Sequence, residues 1–154
     1  MIGRDLKTML FVPASRPERI PKAIASDAGA VIVDLEDAVP AAAKDSARDS
    51  LDAFLRGHDG ALIFVRINAR GTAGFEADLA LCARHANVVG IMLPKAESAE
   101  DVRVVAGAGK SIIPLIESAR GLVALNEIAA VPEVERLSYG GLDLSDDLGL
   151  EVNT

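Results

Sequence analysis

Three acids in four positions, Asp34, Glu36 and Asp37, follow directly on the apolar run Ala30 to Val33. A single acid, Glu117, closes the run Ile112 to Ile116, and Asp143 comes after Arg136 to Tyr139. Arg66 closes Ala61 to Val65, Lys95 follows Val88 to Leu93, and Arg16 stands a few residues past Thr8 to Val12. Two carboxylates with nearby water suit a hard cation, Mg²⁺ above all. Arg66 is always charged and can grip a carboxylate or an enolate in a fork. Together, Glu117, Asp143 and Arg66 suggest metal-assisted handling of a carboxylate substrate. Any one of these charges alone reads as an ordinary loop residue; their recurrence at the same place in each unit sets them apart.

Other chemistries find less support. No Cys or His cluster suits zinc. The single cysteine, Cys82, allows no internal disulfide and reads as a buried or half-buried small residue in an Ala-rich helical pattern. His58 and His85 fall near helix ends and read as surface residues. No Gly-x-Gly-x-x-Gly follows a strand, and there is no P-loop lysine. Gly107-Ala108-Gly109 lies before a strand, on the wrong side for a phosphate.

Positioning the charges requires strands that alternate with helices. The strands are Thr8 to Val12, Ala30 to Val33, Ala61 to Val65, Val88 to Leu93, Ile112 to Ile116 and Arg136 to Tyr139. Pro17 suits a helix start, with the helix running to about Ser26. Arg16 and Arg19 at that start oppose the helix dipole, which points either to an anion nearby or to a solvated pair. Ala41 to Arg56 is a strong helix pattern, with Ala41, Ala42, Ala43, Ala47, Leu51, Phe54 and Leu55 at core-facing intervals. Phe75 to His85 is helical. Ser98 caps a further helix, with Glu100 and Asp101 in its first turn and a glycine break at its end. Ala119 to Ala130 is the next, with Pro132 after it, and Leu144 to Leu150 is a short last one. Six alternations mean a buried parallel sheet, built either as an open doubly wound sheet or as a barrel. In both, all the strand C-terminal ends share one side, where such folds place their chemistry.

The 154 residues suffice for one domain, read as spanning 1–154. Half are hydrophobic and only 3% aromatic, which suits a packed α/β domain and argues against disorder. A net charge of −7 does not attract nucleic acid or an anionic membrane. Met1 to Lys7 is charged and lacks a following apolar region of signal-peptide type, and no run approaches the ~20 residues of a membrane span. A cytoplasmic protein without a nucleic-acid or membrane partner is the expectation.

Six segments, in this order and spacing, resemble the citrate lyase β-subunit-like proteins of the HpcH/HpaI aldolase superfamily. They are Met9-Leu-Phe-Val-Pro-Ala-Ser-Arg-Pro-Glu-Arg19, Val33-Asp-Leu-Glu-Asp-Ala-Val39, Val65-Arg-Ile-Asn68, Met92-Leu-Pro-Lys-Ala-Glu-Ser98, Pro114-Leu-Ile-Glu-Ser-Ala-Arg-Gly121 and Tyr139-Gly-Gly-Leu-Asp-Leu-Ser-Asp-Asp-Leu-Gly149. The resemblance implies a TIM-type (β/α) barrel and Mg²⁺ held by Glu117 and Asp143, with Asp146 or Asp147 as alternative ligands. It implies that Arg66 holds the substrate carboxylate or carbonyl. Asp37, with Glu36, would form an acidic floor that orders Arg66, a metal-bound water or the substrate. Lys95 and Arg16 would meet coenzyme A phosphates or structural acids. The implied reaction is reversible carbon–carbon cleavage of a 3-hydroxy-acyl thioester, of the citryl-CoA or malyl-CoA type, on CoA or on an acyl carrier.

A full (β/α)₈ barrel takes ~250 residues. The chain therefore holds about six of eight units, and it lacks the region that supplies a lid or tail in the family. It is expected to be a truncated piece, a chain that assembles with copies of itself as a trimer or hexamer, or a remnant without activity. A non-catalytic partial barrel working through a partner chain is a competing reading. So is a 2-oxo-acid aldolase of the same superfamily. The Asp34-Leu-Glu-Asp37 and Leu115-Ile-Glu-Ser-Ala-Arg120 motifs favour the citrate lyase side.

Overall fold

The computed structural model describes residues 6–151. The charged start, 1–5, and residues 152–154 lie outside the described residues, so the expected domain reaches beyond them at both ends. The strands are β1 (Met9–Pro13), β2 (Ala30–Asp34), β3 (Ile63–Arg66), β4 (Val88–Leu93), β5 (Ser111–Ile116) and β6 (Ser138–Tyr139). Every neighbouring pair is parallel, and the order along the sheet is β1-β2-β3-β4-β5-β6. A doubly wound sheet reverses its strand order at a switch point; this sheet does not, which removes the open alternative. The connections hold α1 (Ile20–Ile24), α2 (Lys44–Gly57), α3 (Phe75–Arg84), α4 (Ala99–Ala106), α5 (Ala119–Val123), α6 (Leu125–Ala129) and α7 (Gly141–Asp147).

Side chains alternate across the strands and so build two cores. Val31, Val33, Ile63, Val65, Ile91, Leu93, Ile112 and Ile116 pack with helix residues such as Leu51, Leu55, Leu81, Val102 and Val105. Ile32, Phe64, Met92, Ile113 and Leu115 form the second cluster, with strand residues alone. None of these five is more than 7% exposed. Strand side chains can bury one another without a covering helix only when the sheet curls toward closure. Gly90 makes room for that interior: a Cβ there would lie 2.3 Å from the Phe64 ring.

Several boundaries differ from the sequence reading. The α2 helix starts at Lys44, after a 3-10 turn over Ala41–Ala43 that has no side-chain cap; Ala41 and Ala42 are exposed there, and Ala43 packs partly buried against the core. The expected helix Ala119 to Ala130 divides at Ala124 into α5 and α6. The α7 helix begins at Gly141 rather than Leu144, which puts Asp143 in its first turn. The β6 strand is two residues long, and Pro114 explains why. Ile112 and Ile116 hydrogen-bond toward the β6 side, through Glu133, Glu135 and Gly140. Pro114, between them on that side, has no N–H to offer. Pairing is thus reduced to an isolated bridge at Val134 and the pairs Leu115–Ser138 and Ile116–Tyr139.

Cys82 is buried, and burial pushes its thiol up. His85 is not the surface residue expected: its side chain is 12% exposed, with Nε2 2.7 Å from Asp52 Oδ1. Among the described residues no helix is long and apolar enough to cross a membrane.

Replacing Gly90 by Ala forces the Phe64 ring to move. Equilibrium denaturation should show a loss of about 1–3 kcal/mol, the usual cost of overpacking. Phe64→Leu should cost less in the Gly90→Ala background than in the wild type. Strictly additive losses would show that the two positions do not compete for space.

Candidate active site

The ends of β2 and β3 are tied by charge. Asp34 and Arg66 are register partners. Arg66 Nε donates to Asp34 Oδ1 at 2.8 Å and Nη2 to Oδ2 at 2.6 Å. Asp34 also accepts the backbone N–H groups of Glu36 and Ala38, at 2.8 and 3.0 Å. Burial opposes the charge on Arg66, but the Asp34 hydrogen bond and charge outweigh it and hold the guanidinium above its ordinary value. The guanidinium also lies over the Phe11 ring, 5.1 Å from its centroid. Its fork is therefore filled by a carboxylate of the protein itself. What faces the other acids is Nη1, 3.2 Å from Glu36 Oε2 and 3.6 Å from Asp37 Oδ2.

The Leu35-Glu36 backbone is gripped from behind. Lys44 Nζ donates to the carbonyls of both residues, and Asn68 Nδ2 donates to that of Leu35 at 3.1 Å. Asp78, fully buried, holds Asn68 through its backbone N–H (2.9 Å) and its amide (2.6 Å), and takes Arg48 Nε at 2.7 Å. So α2 and α3 fix where Glu36 stands. The Glu36 side chain is buried, and its Oε2 has no hydrogen-bond partner. Burial raises its carboxyl above the usual range, with Asp37 and Glu117 adding to the rise against Arg66 and Lys95.

Glu117 sits one residue past β5, and it too is buried, at 6% exposure. Its Oε1 accepts the Lys95 backbone N–H at 2.8 Å. Gly140 makes its place: a Cβ there would lie 2.6 Å from Glu117 Cβ and 2.7 Å from Oε2. Burial raises the Glu117 carboxyl, and the nearby Asp143 charge adds to that. Lys95 bridges the group, with Nζ 3.4 Å from Glu36 Oε1 and 3.7 Å from Asp143 Oδ2. Burial opposes the ammonium, but Glu36, Glu117, Asp37 and Asp143 together hold its value above the ordinary one.

A pocket of about 310 Å³ is lined by Lys95, Glu97, Glu117, Ser118, Asp143, Asp146 and Asp147. Once Asp34 and Arg66 neutralise each other, the remaining acids outnumber Lys95. Among the described residues no three acids, histidines or cysteines stand together as a ready-made metal cage. A pair of carboxylates facing open space, one of them buried and raised by the other, nonetheless fits Mg²⁺, which keeps several waters or substrate oxygens and uses one or two protein carboxylates.

The other charges are placed differently. Arg16 pairs with Glu18 at 2.6 Å, with about half its side chain exposed. Asp37 is an exposed rim residue, not a floor. Asp147 caps α5, accepting the Ala119 N–H at 2.6 Å, while Ser118 accepts that of Gly121 at 3.1 Å. Sequence reasoning passed over Lys44, Arg48, Asn68, Asp78 and the tight fit of Gly140. Asp34 was noted among the acids closing its strand, but not as the partner of Arg66 at the end of the next one.

Comparison with known proteins places this geometry in context. Residues 7–154 match the family model described as HpcH/HpaI aldolase/citrate lyase. A citrate lyase subunit beta-like protein of Mycobacterium tuberculosis is 46% identical over 141 residues, covering 91% of this chain and 49% of that protein. A (3S)-malyl-CoA thioesterase of Cereibacter sphaeroides is 34% identical over 155 residues, covering 96% of this chain and 53% of that one. The solved structure of a citrate lyase beta subunit from M. tuberculosis, complexed with oxaloacetate and magnesium, superposes with a TM-score of 0.80 at 42% identity, covering 94% of this chain and 62% of that one. The chain thus spans about half the length of the curated relatives it matches.

The raised Glu36 carboxyl has a consequence for stability. A folded-state value above the unfolded one means that ionisation opposes folding. That opposition is full above the folded value and absent below the unfolded one. Glu36→Gln should therefore melt at a higher temperature than the wild type at neutral pH. The advantage should shrink as pH falls through the raised value into the ordinary carboxylate range. Thermal unfolding across pH 3–8 checks it, and a difference that ignores pH would contradict it.

Proposed function

The chain belongs to the HpcH/HpaI aldolase/citrate lyase family, and on that premise we propose that it carries the Mg²⁺ site and much of the catalytic face of a carbon–carbon lyase acting on a 3-hydroxy-acyl thioester. The observation that supports this best is the convergence of Glu117, Asp143 and Lys95 on one pocket, with Glu36 and Arg66 beside it. The sequential, curled sheet is read as six units of a TIM-type barrel in a single domain. The names of the relatives favour a CoA thioester of the malyl or citryl type. Homo-oligomeric assembly belongs to the same proposal.

Glu117 and Asp143 would hold Mg²⁺, which when bound supplies Lewis acidity for the oxygens of the 2-oxo acid product. Everything else falls to the chain itself. Glu36 Oε2, buried and without a hydrogen bond, takes the proton from the 3-hydroxyl group. The alkoxide left behind collapses to a carbonyl as the adjacent carbon–carbon bond breaks, and the electron pair passes into the thioester enolate. A proton returned to that carbon completes the acetyl thioester. Arg66 Nη1 and the Lys95 ammonium supply positive charge toward the enolate oxygen as it forms. Because Asp34 fills the Arg66 fork, Arg66 acts as a fixed charge, not as a two-pronged clamp. Asp37 orders water and substrate at the rim. Arg16, half-exposed on the same side of the sheet, is free to meet coenzyme A phosphates if it leaves Glu18.

Calorimetric titration of Mg²⁺ into the wild type should show binding that Glu117→Ala abolishes or weakens by at least the roughly 10–100-fold typical of losing a residue that merely supports a ligand. Equal binding by both proteins would remove Glu117 from the site. Cleavage of citryl-CoA or malyl-CoA should stop when a chelator is added and return with Mg²⁺. Turnover that ignores the chelator would refute the metal mechanism.

A further inference from the structure

We infer that Lys95 is a built-in counter-ion of this site: its ammonium stands among Glu36, Glu117 and Asp143 when no divalent ion is bound, and the arriving ion displaces it. The inference rests on the metal reading above and adds to it how part of the acid charge is offset before metal entry and how that entry is weakened.

The first observation is the backbone. Lys95 has φ 48, and among the described residues it is the one non-glycine residue with a positive φ. Left-handed backbone disfavours an L side chain and is usually left to glycine. The conformation directs the Lys95 N–H to Glu117 Oε1. Glycine would make that bond without strain, so the backbone bond to Glu117 does not by itself call for a lysine here. Strain of this kind persists where the surroundings over-determine it, and it gathers at functional sites.

The second observation is how the ammonium is held. Its contacts to Glu36 and Asp143, at 3.4 and 3.7 Å, are longer than the 2.7–2.9 Å of a strong charged hydrogen bond. Nζ thus makes one long hydrogen bond, to Glu36 Oε1, and a looser ion pair with Asp143, and is held tightly by neither. Its side chain is 48% exposed, on a flexible stem with water on one side. A cation held by a summed field is readily exchanged for one of higher charge. The displaced ammonium stays at the pocket that both occupy, so it is handed to an anionic substrate only after the metal has entered.

Three variants of the 154-residue chain test this. Lys95→Asn and Lys95→Gly tolerate the backbone and remove the charge; Lys95→Arg keeps it. Calorimetry with Mg²⁺ alone should show the Asn and Gly variants binding about tenfold more tightly than the wild type, within the usual range for coupled sites. The Arg variant should stay near the wild-type value. Metal-free Asn protein should also gain more in Tm on Mg²⁺ addition than the wild type does. Wild-type binding with equal or weaker binding by both Asn and Gly variants would overturn the counter-ion and leave the metal site standing. No binding by any of the four proteins would overturn both readings.

Discussion

The fork between Asp34 and Arg66 is the contact on which the acidic end of the sheet rests. It joins the last residues of β2 and β3 in register and neutralises a carboxylate that is 1% exposed. Removing one partner of such a buried pair typically costs about 3–5 kcal/mol, because the other is left charged and dry. The same carboxylate receives two backbone N–H groups from the turn that follows, so it shapes the loop carrying Glu36. It also takes up two of the three guanidinium nitrogens, Nε and Nη2, and leaves Nη1 toward Glu36 and Asp37. One pair therefore sets the loop, the arginine and the direction of positive charge.

Around that neutral pair the sheet gathers more negative charge than it can satisfy. Burial and mutual repulsion raise the carboxyls of Glu36 and Glu117, and the same acids raise the Lys95 ammonium. Such an imbalance is tolerable only if a cation can be recruited or a proton taken up. Under the proposed function, Glu117 and Asp143 would take a dication and Glu36 a proton. Packing enforces the arrangement from the other side. Gly140 lies against Glu117 so closely that no side chain fits, and the first turn of α7 then delivers Asp143 to the same pocket.

The apolar runs of β2, β4 and β5 were legible because buried parallel strands are near-continuous runs of branched residues, closed by a charge. The weak elements were less so. The shortening of β6 follows from Pro114 on a neighbouring strand, a cause that lies more than twenty positions away in the chain. The early start of α7 went unread because Gly140-Gly141 reads as a turn, and the second glycine is the helix's first residue. His85 looked like a helix-end surface residue until α2 brought Asp52 to it.

By itself the amino-acid sequence determined the alternation of elements, the side of the sheet that carries charge, the family, and the identity of most charged side chains at the site. Those are local properties: residue type, period and spacing along one strand–loop–helix unit. Tertiary structure alone decided which charges meet. It spent the Arg66 fork on Asp34, sent Arg16 to Glu18, left Asp37 at the rim and set Lys95 among the acids. It also recruited Lys44, Asn68 and Asp78 to hold the loop behind Glu36. Partner choice between charges depends on distances across strands and on burial, and neither is encoded in any single stretch of the chain.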